Sequence, residues 1–228
     1  MRIGMAAREI IDDLRAWQGA RDAAPVPALS FYATAPLPPC RKTKQHLDEL
    51  EAYVAVLEGL TPKRVTLELG LYHGGTHFVW ARLFDEVISL DNDYLLCCKA
   101  AVEFPASSSK IVYSDSGDPR TIRTLTDILA GRAVDHLFID ASHDYESVRA
   151  EFLAYAVFVR PGGIIGFHAS FLIREGAGVG RFMGDLREGR VPGWAPIALR
   201  DIAHHMGAFS GKYEGKDYGL GISYFYKR

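Results

Sequence analysis

The segment from Thr66 to Asp91, TLELGLYHGGTHFVWARLFDEVISLD, constrains the fold more than any other part of the chain. A short apolar strand, Val65 to Leu69 with Glu68 inside it, stops at Gly70. A turn carrying Gly74 and Gly75 follows, then a helical run with Phe78, Val79, Trp80, Leu83 and Phe84. A second strand, Val87 to Leu90, ends on Asp91. This is a β–turn–α–β unit with a glycine-rich first turn and a carboxylate at the tip of its second strand. The acid lies about 20 residues past the first glycine, the separation expected for gripping a ribose. Glycines let backbone N–H groups approach a ligand, and the helix N-terminus behind them favours negative charge. The unit reads as a nucleoside-cofactor site, with Gly70, Gly74 and Gly75 forming the turn and Asp91 accepting from the ribose hydroxyls.

The glycine spacing bears on which cofactor. Dinucleotide folds carry G-x-G-x-x-G, which packs a pyrophosphate against the helix start. Here Gly70 is followed by three other residues and then Gly74-Gly75, and no Gly-Lys-Ser/Thr of a P-loop follows. Glu68, two residues before the first glycine, suits a cofactor that carries positive charge. S-adenosylmethionine (SAM), with a sulfonium, an ammonium and no phosphate, fits that description. An NAD-dependent oxidoreductase is the competing enzyme reading, disfavoured by the missing dinucleotide motif.

Beyond this unit the chain alternates strand-like and helix-like runs. Lys110–Tyr113, Val134–Ile139 and Ile164–Phe167 read as strands, and Asp118-Pro119 opens a helix with an N-cap followed by proline. Pro196–Arg200 and Ile222–Tyr226 are strand-like with no helix between them, so they are expected to pair antiparallel. The fold class expected is α/β: a Rossmann-like, doubly wound, mostly parallel seven-stranded sheet with a C-terminal antiparallel hairpin. Such a tail is typical of class I methyltransferases and not of dehydrogenases. Residues 1–45 combine a helix (Ile10, Ile11, Leu14 and Trp17 at helical spacing) with a segment broken by Pro25, Pro27, Pro36, Pro38 and Pro39. They are expected to form an N-terminal extension on a domain spanning 46–228.

Composition narrows the function classes. A net charge of −2 provides no basic footprint for nucleic acid or anionic membrane, and no run of apolar residues is long enough to span a bilayer. The three cysteines, Cys40, Cys97 and Cys98, form neither a disulfide framework nor a zinc motif, which points to a reducing cytoplasm. The expected partner is a small-molecule substrate; nothing in the sequence speaks for a particular oligomeric state.

Gly70, Asp91, Asp115, Asp140 and His168 all fall at or just past the carboxyl ends of successive strands, which in an open parallel sheet form one ligand-binding rim. His143, three residues past Asp140, is the candidate general base, because an imidazole suits proton removal at neutral pH. His168 is the second candidate. The glycines at 176, 178, 180 and 184 suggest either a flexible lid or an ordinary connection.

Several of these stretches together resemble a family. VTLELGLYHGG, HLFIDASHDYESV, VRPGGIIGFH, GVGRFMGDL and GLGISYFYK are similar to motifs of class I methyltransferases grouped with cephalosporin hydroxylase-associated proteins and macrolide-sugar O-methyltransferases. The resemblance covers roughly residues 46–228. It implies SAM at the Gly70–Asp91 rim, with Asp140 and His143 facing the transferring methyl; together with the reading of the residues, Glu68, Gly70, Gly74, Gly75, Asp91, Asp115 and Asp140 are expected to hold the cofactor. It implies methylation of a small-molecule hydroxyl; a binding domain of the same fold that has lost activity is the non-enzyme alternative. Two positions depart from the family pattern. Ala141 replaces a glycine, and Ala169 replaces the aspartate of a His-Asp pair that helps hold magnesium in metal-dependent relatives. With that carboxylate missing, no metal is expected here, magnesium included.

Overall fold

Short apolar strands alternating with capped helices produce the architecture of the computed structural model, which describes residues 5–22, 45, 47–104, 107–171, 178–202 and 221–228. Five strands run parallel: β1 (Val65–Leu69), β2 (Glu86–Asp91), β3 (Ser109–Tyr113), β4 (Val134–Ile139) and β5 (Val159–His168). The helices α3 (Gly75–Leu83), α4 (Tyr94–Glu103), α5 (Pro119–Leu129) and α6 (Tyr145–Tyr155) connect them in turn. Aspartates begin three of these helices: Asp93 accepts from the backbone N–H groups of Leu95 and Leu96, Asp118 from Arg120 and Asp144 from Ser147. Each satisfies a donor that the first turn leaves without an intrahelical partner.

Two further strands, β6 (Arg200–Ile202) and β7 (Ile222–Tyr226), complete a seven-stranded sheet of order β3-β2-β1-β4-β5-β7-β6. β7 is antiparallel to β5 and β6 is antiparallel to β7, the antiparallel pairing expected of the two strand-like runs. β6 sits later than the Pro196–Arg200 expectation, and β5 starts earlier than expected, running through Pro161-Gly162-Gly163. The strand order reverses between β1 and β4, so their carboxyl ends open a crevice.

Side chains alternate across the strands and build a core on each face. Leu67, Leu69, Phe167 and Ile165 pack with Leu125 of α5, Phe152 of α6 and Phe182 of α7 (Val179–Glu188). On the other face, Phe138 and Ile164 pack with Tyr53 of α2 (Leu47–Glu58), Trp80 of α3 and the first helix, α1 (Met5–Asp22). Ile10, Ile11 and Leu14 of α1 are buried in that core, and Arg15 reaches Glu51 at 2.9 Å. The helix expected as an extension is therefore part of the domain's helical layer. Its side chains are described only for residues 8–16, so Trp17 and the proline-rich stretch at 23–40 lie outside the described residues.

The glycine-bearing stretch after β5 is also resolved differently from a lid. Gly180 and Gly184 lie inside α7, whose Val179, Phe182, Met183 and Leu186 are buried at helical spacing. Gly176 lies outside the described residues.

Candidate active site

β1 leaves the sheet at Gly70, with φ 94°. A Cβ there would lie 2.3 Å from the Asp140 carbonyl oxygen, so only glycine lets the end of β1 pass against the end of β4. The Gly70 N–H donates to the Leu90 carbonyl (2.9 Å) and the Asp140 N–H donates to the Leu69 carbonyl (2.8 Å), lacing the tips of β2, β1 and β4 together. Gly74 follows as the left-handed N-cap of α3, φ 72°, and Gly75 is the helix's first residue. The turn GLYHGG contains no lysine or arginine, hence no fixed cation for a phosphate.

Asp91 ends β2 beside this turn. Its Oδ2 accepts from the Tyr72 N–H (2.8 Å) and its Oδ1 from the Asp93 N–H (2.9 Å). The two bonds aim a half-buried carboxylate across the turn, and each oxygen has capacity for a further donor. Asp115, just past β3, is exposed, and its Oδ1 accepts from the Gly117 N–H at 2.8 Å.

Glu68 is placed differently from the expectation. Its carboxyl is fully buried beneath α3, where Oε1 accepts from the Trp80 indole N–H (2.9 Å) and Oε2 from the Ser89 hydroxyl (2.5 Å). Burial raises its pKa to about 8, although Ser89, Thr76 and Trp80 pull the other way. At neutral pH it is mainly a neutral acid within the core, not an anion facing a cofactor. Alternation explains the placement: on β1, Leu67 and Leu69 fill one core while Thr66 and Glu68 face α3, opposite His136 of β4 and Ser89 of β2. His136 is enclosed there between the Tyr53 hydroxyl (2.9 Å) and Thr66 (2.8 Å).

The tips of β4 and β5 bring three chemistry-bearing side chains together. His168 Nδ1 lies 2.8 Å from Asp140 Oδ1, and His143 Nε2 lies 3.6 Å from the same oxygen. Gln45 Nε2 donates to Asp140 Oδ2. Burial alone would raise the Asp140 pKa, but the two imidazoles and their hydrogen bonds outweigh it and hold the group at about 2. His168 is buried with 3% of its side chain exposed, whereas His143 keeps 27%. Of the two rings, His143 is the one open to a second molecule.

α7 buttresses this corner. The Gly178 N–H donates to the His143 carbonyl (2.7 Å), and a Cβ on Gly178 would lie 2.2 Å from the Tyr145 backbone nitrogen. The Tyr145 hydroxyl in turn donates to Asp185 of α7. The apolar i, i+3, i+4, i+7 spacing of Val179, Phe182, Met183 and Leu186 is the signal from which α7 could have been read. Gln45 has no such signal, because its contact with Asp140 joins residues 95 positions apart.

With this geometry in view, comparison with known proteins agrees on the fold. Residues 67–170, from within β1 to just past β5, match a family model described as a methyltransferase domain. An O-methyltransferase from Bacillus cereus, solved with S-adenosylhomocysteine (SAH), superposes with a TM-score of 0.59 at 16% identity, over 96% of this chain and 91% of that one. The O-methyltransferase TomG from Streptomyces achromogenes, involved in tomaymycin synthesis and solved with SAM, gives 0.56 at 17% identity over 96% and 90%. MycE, a methyltransferase of the mycinamycin biosynthetic pathway solved with magnesium and SAH, gives 0.53 at 16% identity over 95% and 55%. No curated protein matches significantly by sequence. The architecture is that of class I methyltransferases. Among the described residues, no helix is long and apolar enough to cross a membrane.

Magnesium fits this corner poorly. It prefers oxygen ligands in near-octahedral array, whereas the cluster offers one carboxylate and two imidazoles. Ala169, fully buried with φ 56°, adds no donor. That left-handed backbone is one that aspartate adopts more readily than alanine.

Proposed function

We propose that this chain is a SAM-dependent methyltransferase acting on a hydroxyl of a small molecule. The observation that carries the reading is the shared rim. Asp91 beside the glycine turn and the Asp140–His143–His168 cluster stand on either side of the crevice between β1 and β4, joined through Gly70. The donor set suits the cofactor: a backbone-braced carboxylate for ribose hydroxyls, a turn without cations, and the Asp140 anion near a positively charged group. Asp91 would hold the ribose, the backbone of the Gly70–Gly75 turn would lie along the cofactor, and Asp115 and Asp140 would border it. Glu68 braces the turn from beneath, tying β1 to β2 and α3, and makes no contact of its own with a ligand.

When bound, SAM supplies a methyl group on a sulfonium, already activated for transfer to a nucleophile. The protein's part is to hold the acceptor oxygen in line and to take its proton. His143, the more exposed ring, receives that proton at Nδ1, while Asp140 Oδ1, 3.6 Å from Nε2 at the other side of the ring, stabilises the imidazolium. His168, enclosed against the same oxygen, orients the carboxylate, and Gln45 fixes its other oxygen. His168 is thus a positioning residue.

The test is calorimetric titration of the purified protein with SAH and with NAD. SAH is expected to bind. Asp91→Ala should weaken it at least about tenfold through loss of one or two charge-assisted hydrogen bonds, with the circular dichroism spectrum unchanged. Binding of NAD and not SAH would overturn the reading.

A further inference from the structure

The inward face of α6 carries an acid where its spacing calls for an apolar side chain. Val148, Glu151, Phe152 and Tyr155 line that face, and Glu151 is buried with 3% of its surface exposed. Its Oε1 accepts from the Ser116 hydroxyl (2.6 Å), while Oε2 has no hydrogen-bond partner. The Tyr155 hydroxyl donates to the Ser116 carbonyl (2.7 Å), so the residue after Asp115 is tied to α6 twice. Asp115 in the loop after β3, Asp140 at the tip of β4 and Asp144 at the cap of α6 all act on Glu151 through their charge. Among the described residues, no lysine or arginine pairs with any of these four acids. A buried carboxyl without a cation is destabilising, and strongly perturbed acids beside a crevice mark functional positions.

We infer that Glu151 selects the cofactor by charge, favouring the sulfonium of SAM over the neutral thioether of SAH through the shared negative field of the four acids around the crevice. The inference rests on the SAM reading above and adds to it. Glu151 acts through the field of the cluster and not by contact with the reacting atoms, so it is a specificity-determining residue and not a catalytic one.

Burial pushes the Glu151 pKa up to about 7, with Ser116 opposing the rise and Asp144, Asp115 and Asp140 adding to it. The group is therefore poised to change charge near neutral pH. A sulfonium in the crevice stabilises its anion, so binding of SAM drives off a proton, and SAH, uncharged at sulfur, does so less. By linkage, the affinity for SAM relative to SAH rises as pH passes upward through about 7. Unit charges roughly 10 Å apart at an effective dielectric constant of about 20 alter an affinity by on the order of tenfold. When the methyl group leaves, sulfur becomes neutral and the carboxyl recovers a proton from water. The preference for the charged form then favours replacement of the spent cofactor.

The experiment titrates the full chain calorimetrically with SAM and with SAH at pH 6 and pH 8. Between these values the preference for SAM over SAH should rise at least about threefold more in the wild type than in Glu151→Gln, which keeps the shape and cannot ionise. His143 and His168, which also face Asp140, are common to both proteins, so the difference isolates Glu151. Glu151→Asp should retain part of the pH dependence, an outcome that a merely structural role would not produce. Titration of the wild type at pH 7 in buffers of different ionisation enthalpy needs no variant, and there SAM should release more protons than SAH. Equal proton release by the two ligands, or the same change of preference in wild type and Glu151→Gln, would overturn the inference and leave the SAM reading intact. Failure of the wild type to bind either ligand would overturn the SAM reading and this inference with it.

Discussion

Two carboxyl groups close to the same crevice meet opposite fates. Glu68 beneath α3 is pushed up to about 8, and Asp140 at the rim is held down at about 2. Both are substantially withdrawn from water, so burial alone does not separate them. Their partners do. Glu68 is surrounded by an indole, two hydroxyls and the neutral ring of His77, whose own pKa burial depresses to about 3. Hydroxyls and an indole stabilise the anion too weakly to offset its desolvation, so the group keeps its proton. Asp140 faces two imidazoles that can carry positive charge, and its anion persists. One seam is a neutral brace; the other is a charged cluster able to handle protons.

Gly70 joins the two regions, and its replacement should have the largest effect. Gly70→Ala places a methyl group against the Asp140 carbonyl at a positive φ, so a loss of roughly 2–4 kcal/mol of stability is expected. Chemical denaturation measures it. A variant as stable as the wild type would mean that the tips of β1 and β4 are less tightly joined than the structure shows.

The next effect separates the charged cluster from the cofactor half. With a suitable acceptor, His143→Ala should lower kcat about 10²–10⁴-fold while the affinity for SAM changes little. Equal losses in both would mean that His143 holds the cofactor instead of taking a proton.

The smallest effect tests the neutral seam. Because the folded state retains the Glu68 proton up to about pH 8 while a free carboxyl releases it near 4.5, this group makes stability decline between those values. Glu68→Gln keeps the hydrogen-bonding shape and cannot ionise. Its melting temperature relative to wild type should therefore rise by roughly 2–4 °C or more between pH 5 and pH 8.5. Asp140 has the reverse sign. Its contribution is present above pH 3.8 and is lost as pH falls through about 2. A flat difference for Glu68→Gln across the range would show that Glu68 is ionised in the folded protein.

The strands β1 to β4, the cap at Asp118 and the antiparallel tail follow from local patterns: apolar runs, an aspartate before a helical stretch, two strand-like runs with no helical pattern in the sequence between them. The positions of Gly70, Asp91, Asp140 and His168 at strand tips follow from the same periodicity. α7 was legible in its apolar spacing but obscured by its glycines, which suggest a loop when counted and a helix only when their neighbours are weighed. The place of α1 in the core was hidden, because an amphipathic helix looks the same whether it packs on its own domain or on another surface.

By itself, the sequence determined which residues end strands and therefore which side chains share a rim, because strand and helix periods are local properties of the chain. Only the tertiary structure decided the state of those side chains. Whether Glu68 is charged, which histidine is enclosed, and that Gln45 meets Asp140 depend on groups distant in sequence. Desolvation and Coulomb attraction act on whatever lies within a few ångströms in space, and residues 45, 140 and 168 become neighbours only when the sheet closes.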